Sequence, residues 1–148
     1  MSEAGREPPT RGALTLPHLI KWAEMAVRAR VDAAMRTMPV SSSQLFALVL
    51  LHEQGETTSA GLARLMHLTP QAMTTLLAPL RDQDLIERRT DEAHRRRLQL
   101  RLTDKGHGII AQARALTPRI EADLLGDAST EERQTLMRLL ARIAQPGD

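Results

Sequence analysis

The stretch LIERRTDEAHRRRLQLRLT, residues 85–103, decides how this chain folds. Leu98, Leu100 and Leu102 alternate with Gln99 and Arg101, the period of a half-buried strand. Leu85–Arg89 reads as a second short strand. Between them lies a polar loop, Thr90-Asp91-Glu92-Ala93-His94, that runs into Arg95, Arg96 and Arg97. A β-hairpin with a cationic tip accounts for this pattern.

The residues before it, TTSAGLARLMHLTPQAMTTLLAPL (57–80), carry a helix-turn-helix pattern. Thr58 or Ser59 caps a short helix through about Met66, and Leu68 packs the turn. Thr69 is an N-cap with Pro70 at the first helical position, where its missing N–H costs nothing. In the helix that follows, Met73, Leu76, Leu77 and Leu80 form one apolar face. Gln71, Thr74, Thr75 and Ala78 form the opposite one, small and polar enough to enter a major groove. Arginine-rich hairpins beside such a helix suit a polyanion, because guanidinium groups reach phosphates and fit a narrow minor groove.

The flanks predict helices with more apolar surface than one chain can cover. From Leu16 to Met38 one stripe runs Leu16, Leu19, Ile20, Ala23, Val27, Val31, Ala34, Met35 and Met38. His18, Trp22, Met25 and Ala29 make a second stripe beside it, and Pro39 ends the helix. Ser41–Ser43 caps a buried helix that runs to about Gln54 and stops at Gly55. After the hairpin, Thr103 or Asp104 opens a long helix with Ile109, Ile110, Ala113, Leu116, Ile120 and Leu124 on its stripe. Pro118 is expected to kink it, and Gly126 to end it. Ser129-Thr130-Glu131-Glu132 has capping-box spacing and starts a last helix with Leu136, Leu139, Leu140 and Ile143 on its apolar side. Helices with two apolar faces imply a second copy of the chain. Residues 1–13, rich in Gly, Pro and charge, read as a flexible tail.

Composition narrows the function classes. The 148 residues carry one Phe, one Trp and no Tyr, so the core must come from Leu, Ala, Ile, Val and Met, which favours helices. Net charge is only +2, but 18 of the 20 basic residues are Arg, the exceptions being Lys21 and Lys105. Arg makes bidentate contacts with phosphate and guanine that Lys does not. The absence of Cys excludes disulfides, thiolate metal sites and thiol redox switching. No apolar run reaches membrane-span length, and the start lacks a signal-peptide core, so a cytoplasmic protein is expected. No nucleophile–base set or phosphate-cradling glycine loop occurs, and we expect neither enzymatic activity nor a cofactor. His18, His52, His67, His94 and His107 are scattered, and we expect no metal. Only His52 and His107, with Glu53 adjacent, lie on helices that can meet in space.

The order helix, helix, short helix, turn, helix, hairpin, long helix, final helix resembles the MarR family of bacterial winged helix-turn-helix transcription regulators. The resemblance spans Leu16 to the C-terminus and is densest over residues 44–106. It rests on Gln44 with Leu48 and Leu51; Leu62-Ala63; Leu68-Thr69-Pro70 with Thr74; Leu80; Leu85-Ile86-Glu87-Arg88; Asp91, Arg95 and Arg96; Leu102-Thr103; and Lys105-Gly106. It implies a mainly α winged-helix fold, with helices in 14–40 and 104–148 for dimerisation and 41–103 as the reading unit. It also implies a homodimer that represses nearby genes from a pseudo-palindromic operator. The DNA-contacting set would be Thr69, Pro70, Gln71, Thr74, Thr75, Arg88, Arg95, Arg96 and Arg97. An aromatic or phenolic effector would bind between the dimerisation helices and the winged helix, with His18, Trp22 and Met25 as pocket candidates. A winged-helix module that binds proteins rather than DNA is the alternative.

Three departures from the family pattern stand out. His94 replaces the Asp that usually orients the arginine two residues on, here Arg96. Asp84 replaces a usual glycine, so a position with positive φ must be met by Asp, which tolerates it better than most residues. Pro79 lies late in the recognition helix and is expected to bend or shorten it.

Overall fold

The computed structural model describes residues 14–90 and 98–145. The expected tail (1–13) and the hairpin tip, with Asp91, His94, Arg95, Arg96 and Arg97, lie outside them. The elements follow the order α1 (Leu16–Ala34), α2 (Ser42–Gln54), β1 (Thr57–Thr58), α3 (Ser59–Leu65), α4 (Pro70–Asp82), β2 (Ile86–Thr90), β3 (Leu98–Leu102), α5 (Asp104–Leu125) and α6 (Thr130–Ala144). The three strands form an antiparallel sheet in the order β1-β3-β2. This is a mainly helical winged-helix architecture.

Helix starts follow the capping chemistry closely. Ser41, Thr58, Thr69, Thr103 and Ser129 each accept a backbone N–H from the first turn of α2, α3, α4, α5 and α6. Each bond satisfies one of the four orphan donors of its helix end. Ser129 and Glu132 form a reciprocal box, and the N–H and hydroxyl of Ser129 hold the Glu132 carboxyl below the usual carboxylate range. That contribution is present at neutral pH and is lost as the pH falls through the lowered folded-state pKa.

One helix end departs from expectation. α1 stops at Ala34, not Met38, and Met35–Met38 form a turn with a 2.8 Å hydrogen bond from Met38 N–H to Met35 O. Pro39 disfavours helical geometry in the residue before it, so the chain leaves the helix early. Neither internal proline ends its helix. Pro79 and Pro118 lie on exposed faces, where water can satisfy the carbonyl that each leaves without a donor.

The helix-turn-helix is set by two matching terminations. At the end of α3, His67 N–H bonds to Arg64 O at 3.2 Å and Leu68 N–H to Ala63 O at 2.9 Å. After α4, Asp84 N–H bonds to Arg81 O and Leu85 N–H to Leu80 O, both at 2.9 Å. Both are Schellman motifs, whose pivotal residue is usually glycine. Here His67 (φ 53°) and Asp84 (φ 56°) take the left-handed conformation, as expected for Asp84 and unforeseen for His67. A left-handed residue with a side chain costs ~1–2 kcal/mol, against ~0.5–1 kcal/mol of extra chain entropy for glycine. His67→Gly is therefore expected to raise the urea midpoint, stabilising the fold by ~0.5–1 kcal/mol. Asp84→Gly should gain less.

The core joins α2, α3, α4 and the sheet into one unit. Leu48, Leu51, Leu62, Met73, Leu80, Leu85 and Leu100 are its most deeply buried large side chains, from α2, α3, α4, β3 and the turn into β2. α5 docks on this unit at its first turn. Thr103 Oγ1 donates to Asp84 O at 2.6 Å, Lys105 Nζ to Gln83 O at 2.8 Å, and Thr103 N–H to Leu85 O at 3.2 Å. Gly106 lies against the Leu85 carbonyl so closely that a Cβ there would overlap it.

The terminal helices contrast with this core. No residue of α1 or α6 is buried. Leu16, Leu19, Trp22, Met25 and Val27 on α1, and Leu136, Met137, Leu139, Leu140 and Ile143 on α6, are exposed. Of the long stripe expected on α1, Val31 packs against the core, where Met35 and Met38 follow from the turn beyond the helix.

Candidate nucleic-acid interface

The second helix of the turn motif is built with two unlike faces. Thr69 Oγ1 accepts the Ala72 N–H at 3.2 Å and starts α4, with Pro70 at its first position. Met73, Leu77 and Leu80 are buried and Leu76 is half-buried, which locks the helix rotation. Gln71, Thr74 and Thr75 are then held outward on one exposed face. The Thr74 hydroxyl donates to Pro70 O at 3.0 Å and that of Thr75 to Gln71 O at 3.1 Å. Their oxygens remain available as acceptors, and their methyl groups can pack on thymine methyls. The Gln71 amide both donates and accepts, the pattern that pairs with an adenine edge.

The strands place basic side chains beside this helix in sequence and in the fold. Arg88 and Arg89 are exposed on β2 and, as neighbours on a strand, point to opposite faces. Arg88 stands opposite Leu100 and Arg89 opposite Gln99. Glu87 stands opposite Arg101 and is ion-paired with it, so the one carboxylate of β2 is neutralised within the sheet. All six described members of the expected DNA-contacting set, Thr69, Pro70, Gln71, Thr74, Thr75 and Arg88, are exposed, five of them at the start of α4. Arg89 was not singled out from the sequence, although strand alternation marks it as the partner face of Arg88. Arg64 is likewise exposed, in the last turn of α3.

A second feature lies away from this surface. An open cleft of about 290 Å³ runs between α1, α2 and α5, walled by Val31, Leu45, Val49, Ile110 and Leu116, with Met35 from the turn after α1. Arg114, Thr117 and Glu121 bring the polar groups to an otherwise apolar wall. The expected pocket residues stand elsewhere. His18 Nδ1 pairs with Thr15 Oγ1 at 2.8 Å in the cap of α1. Trp22 and Met25 are exposed on the half of α1 that extends past the core, and none of the three walls the cleft. Among the described residues no three His, Asp or Glu side chains come together as a metal site. No described helix is long and apolar enough to cross a membrane.

Comparison with known proteins agrees with this geometry. Residues 40–98 match the sequence model of the MarR family. The chain is 27% identical over 128 residues to the HTH-type transcriptional repressor Rv2887 of Mycobacterium tuberculosis, covering 86% of this chain and 92% of that one. Its fold superposes on a crystal structure of Rv2887 in complex with p-aminosalicylic acid, with a TM-score of 0.73 and 25% identity over 89% of this chain and all of the other. It also superposes on a MarR mutant from E. coli complexed with operator DNA, with a TM-score of 0.75 and 19% identity over 86% of this chain and 92% of that one. Helix order, sheet topology and matched residues all agree: residues 40–98 carry a MarR-family domain, and most of the chain is similar to repressors of that kind.

Proposed function

We propose that this chain forms a homodimeric transcription regulator that binds a pseudo-palindromic double-stranded operator and represses nearby genes. The observation that carries this reading is α4, whose inner face is buried in the core and whose Gln71, Thr74 and Thr75 face outward, with Arg88 exposed on the strand that follows. In this reading residues 41–103 read DNA, and the helices within 14–40 and 104–148 join two copies. α4 lies in a major groove, with Thr69 and Pro70 at the phosphate backbone. Arg95, Arg96 and Arg97 follow the adjacent minor groove, a role resting on their place in the sequence. Two-fold symmetry then sets half-site centres ~10 bp apart, or a multiple of that. Such a regulator works in the cytoplasm and has no catalytic task.

A small aromatic acid that releases the DNA fits the same reading. The cleft between α1, α2 and α5 is apolar, with Arg114 to receive a carboxylate, and it lies where the reading unit meets the dimerisation helices. The related repressor bound to p-aminosalicylic acid supports this ligand class. His18, Trp22 and Met25 would line a pocket only together with helices of the second copy. Ligand and DNA oppose each other if each favours a different spacing of the two heads.

Fluorescence anisotropy with DNA from upstream of the gene, at several salt concentrations, tests the reading. Arg88→Ala should lower the slope of log affinity against log salt by about one. Gln71→Ala should cost ~1–3 kcal/mol at one base position per half-site, more than it costs on random DNA. A wild-type protein whose DNA affinity is weak and insensitive to salt would instead be a protein-interaction module.

A further inference from the structure

We infer that His52 and His107 form a two-imidazole site for a borderline divalent cation of the zinc type. His52 lies in the last turn of α2 and His107 in the first turn of α5, so 55 positions of sequence separate rings that the fold brings together. Their ring centres are 5.3 Å apart and their planes are inclined at 80°. Two imidazoles on one tetrahedral zinc, with Zn–N bonds of about 2.0–2.1 Å, have ring centres about 5 Å apart. The ring spacing therefore matches joint ligation. His52 is half-buried and His107 exposed, so an ion can enter from solvent and water can complete its coordination shell. Neutral imidazole suits Zn²⁺, Cu²⁺ and Ni²⁺ and not the oxygen-seeking Mg²⁺.

The consequence is mechanical. α2 belongs to the core of the winged-helix unit, and α5 packs on that core through Ile109 and Ile110 before running on to Leu125. A cation held by both rings would fasten one to the other near the Thr103 cap. The inference stands on this pair alone and is independent of the DNA reading.

Isothermal titration of the full chain with ZnCl₂, paired with thermal melting, tests it. The wild type should bind one ion per chain at this site, and its midpoint should rise with Zn²⁺. His52→Gln or His107→Gln should each weaken binding by about tenfold or more and abolish the rise in midpoint. His18→Gln and His67→Gln should leave both intact, and MgCl₂ should give no binding. Circular dichroism establishes that the variants are folded. Zn²⁺ binding that survives in folded His52→Gln and His107→Gln, or no Zn²⁺ binding by the wild type, would overturn the inference.

Discussion

Gly106→Ala is expected to destabilise the fold by at least ~2–3 kcal/mol, whereas Gly108→Ala, two residues on, should stabilise it by up to ~1 kcal/mol. The two glycines share a helix and differ only in what surrounds them. A Cβ at position 106 would overlap the Leu85 carbonyl oxygen and lie 3.1 Å from Leu102 Cδ2. The carbonyl has no room to retreat, because Leu85 O accepts the Thr103 N–H while its neighbour Asp84 O accepts the Thr103 hydroxyl. Relief requires moving the start of α5 off the reading unit, and with it the Lys105–Gln83 contact. At Gly108 a Cβ meets nothing within 4 Å, so only the helix preference of alanine remains. Urea denaturation of both variants reads the difference as midpoints displaced in opposite directions from wild type. Equal midpoints for the two would mean that the close approach at Gly106 does not hold in solution.

Leu139→Asp is expected to weaken self-association by about 10³-fold, roughly 4 kcal/mol, and to leave the reading unit folded. Leu139 is 44% exposed and Ile143 55% exposed in one chain, so neither contributes much to folding that chain alone. They lie with Leu136 and Leu140 along one side of α6, at the spacing of a packing stripe. With the exposed leucines, Trp22 and Met25 of α1, they form apolar surface of a kind that soluble monomers rarely leave uncovered. A second copy covering it would bury the introduced carboxylate without a partner. Sedimentation velocity at micromolar concentration should find the wild type dimeric and the variant monomeric, with similar circular dichroism. A monomeric wild type would remove the dimer from the proposed function. Because operator affinity draws on two linked heads, the variant should also bind a full operator little better than a half-site.

Local chemistry was legible in advance. The capping serines and threonines, the glycine ends of α2 and α5, the two faces of α4 and the strand period of Leu98–Leu102 all depend on residues within a turn or two of one another. Asp84 belongs with them, because a helix end with that hydrogen-bond pattern demands a left-handed residue whatever packs around it. These features imply a surface position for Thr69, Pro70, Gln71, Thr74, Thr75 and Arg88, and all six are exposed.

Tertiary structure decided the rest, for reasons of distance along the chain. Thr57–Thr58 is too short to show a period, and it is a strand only because β3 offers it a ladder. The pairing of Glu87 with Arg101 depends on hairpin register, which the order of residues alone does not specify. Where the cleft lies follows from how α1, α2 and α5 cross, and Trp22 and Met25 stand exposed outside it in the single chain. The close approach at Gly106 and the meeting of His52 with His107 are likewise products of packing. By itself the sequence determined the helix starts, the glycine ends of α2 and α5 and the two faces of α4, since backbone hydrogen bonding and side-chain period act over a few residues. Only the folded core determined which distant residues touch, since that depends on how all the buried side chains fill one volume together.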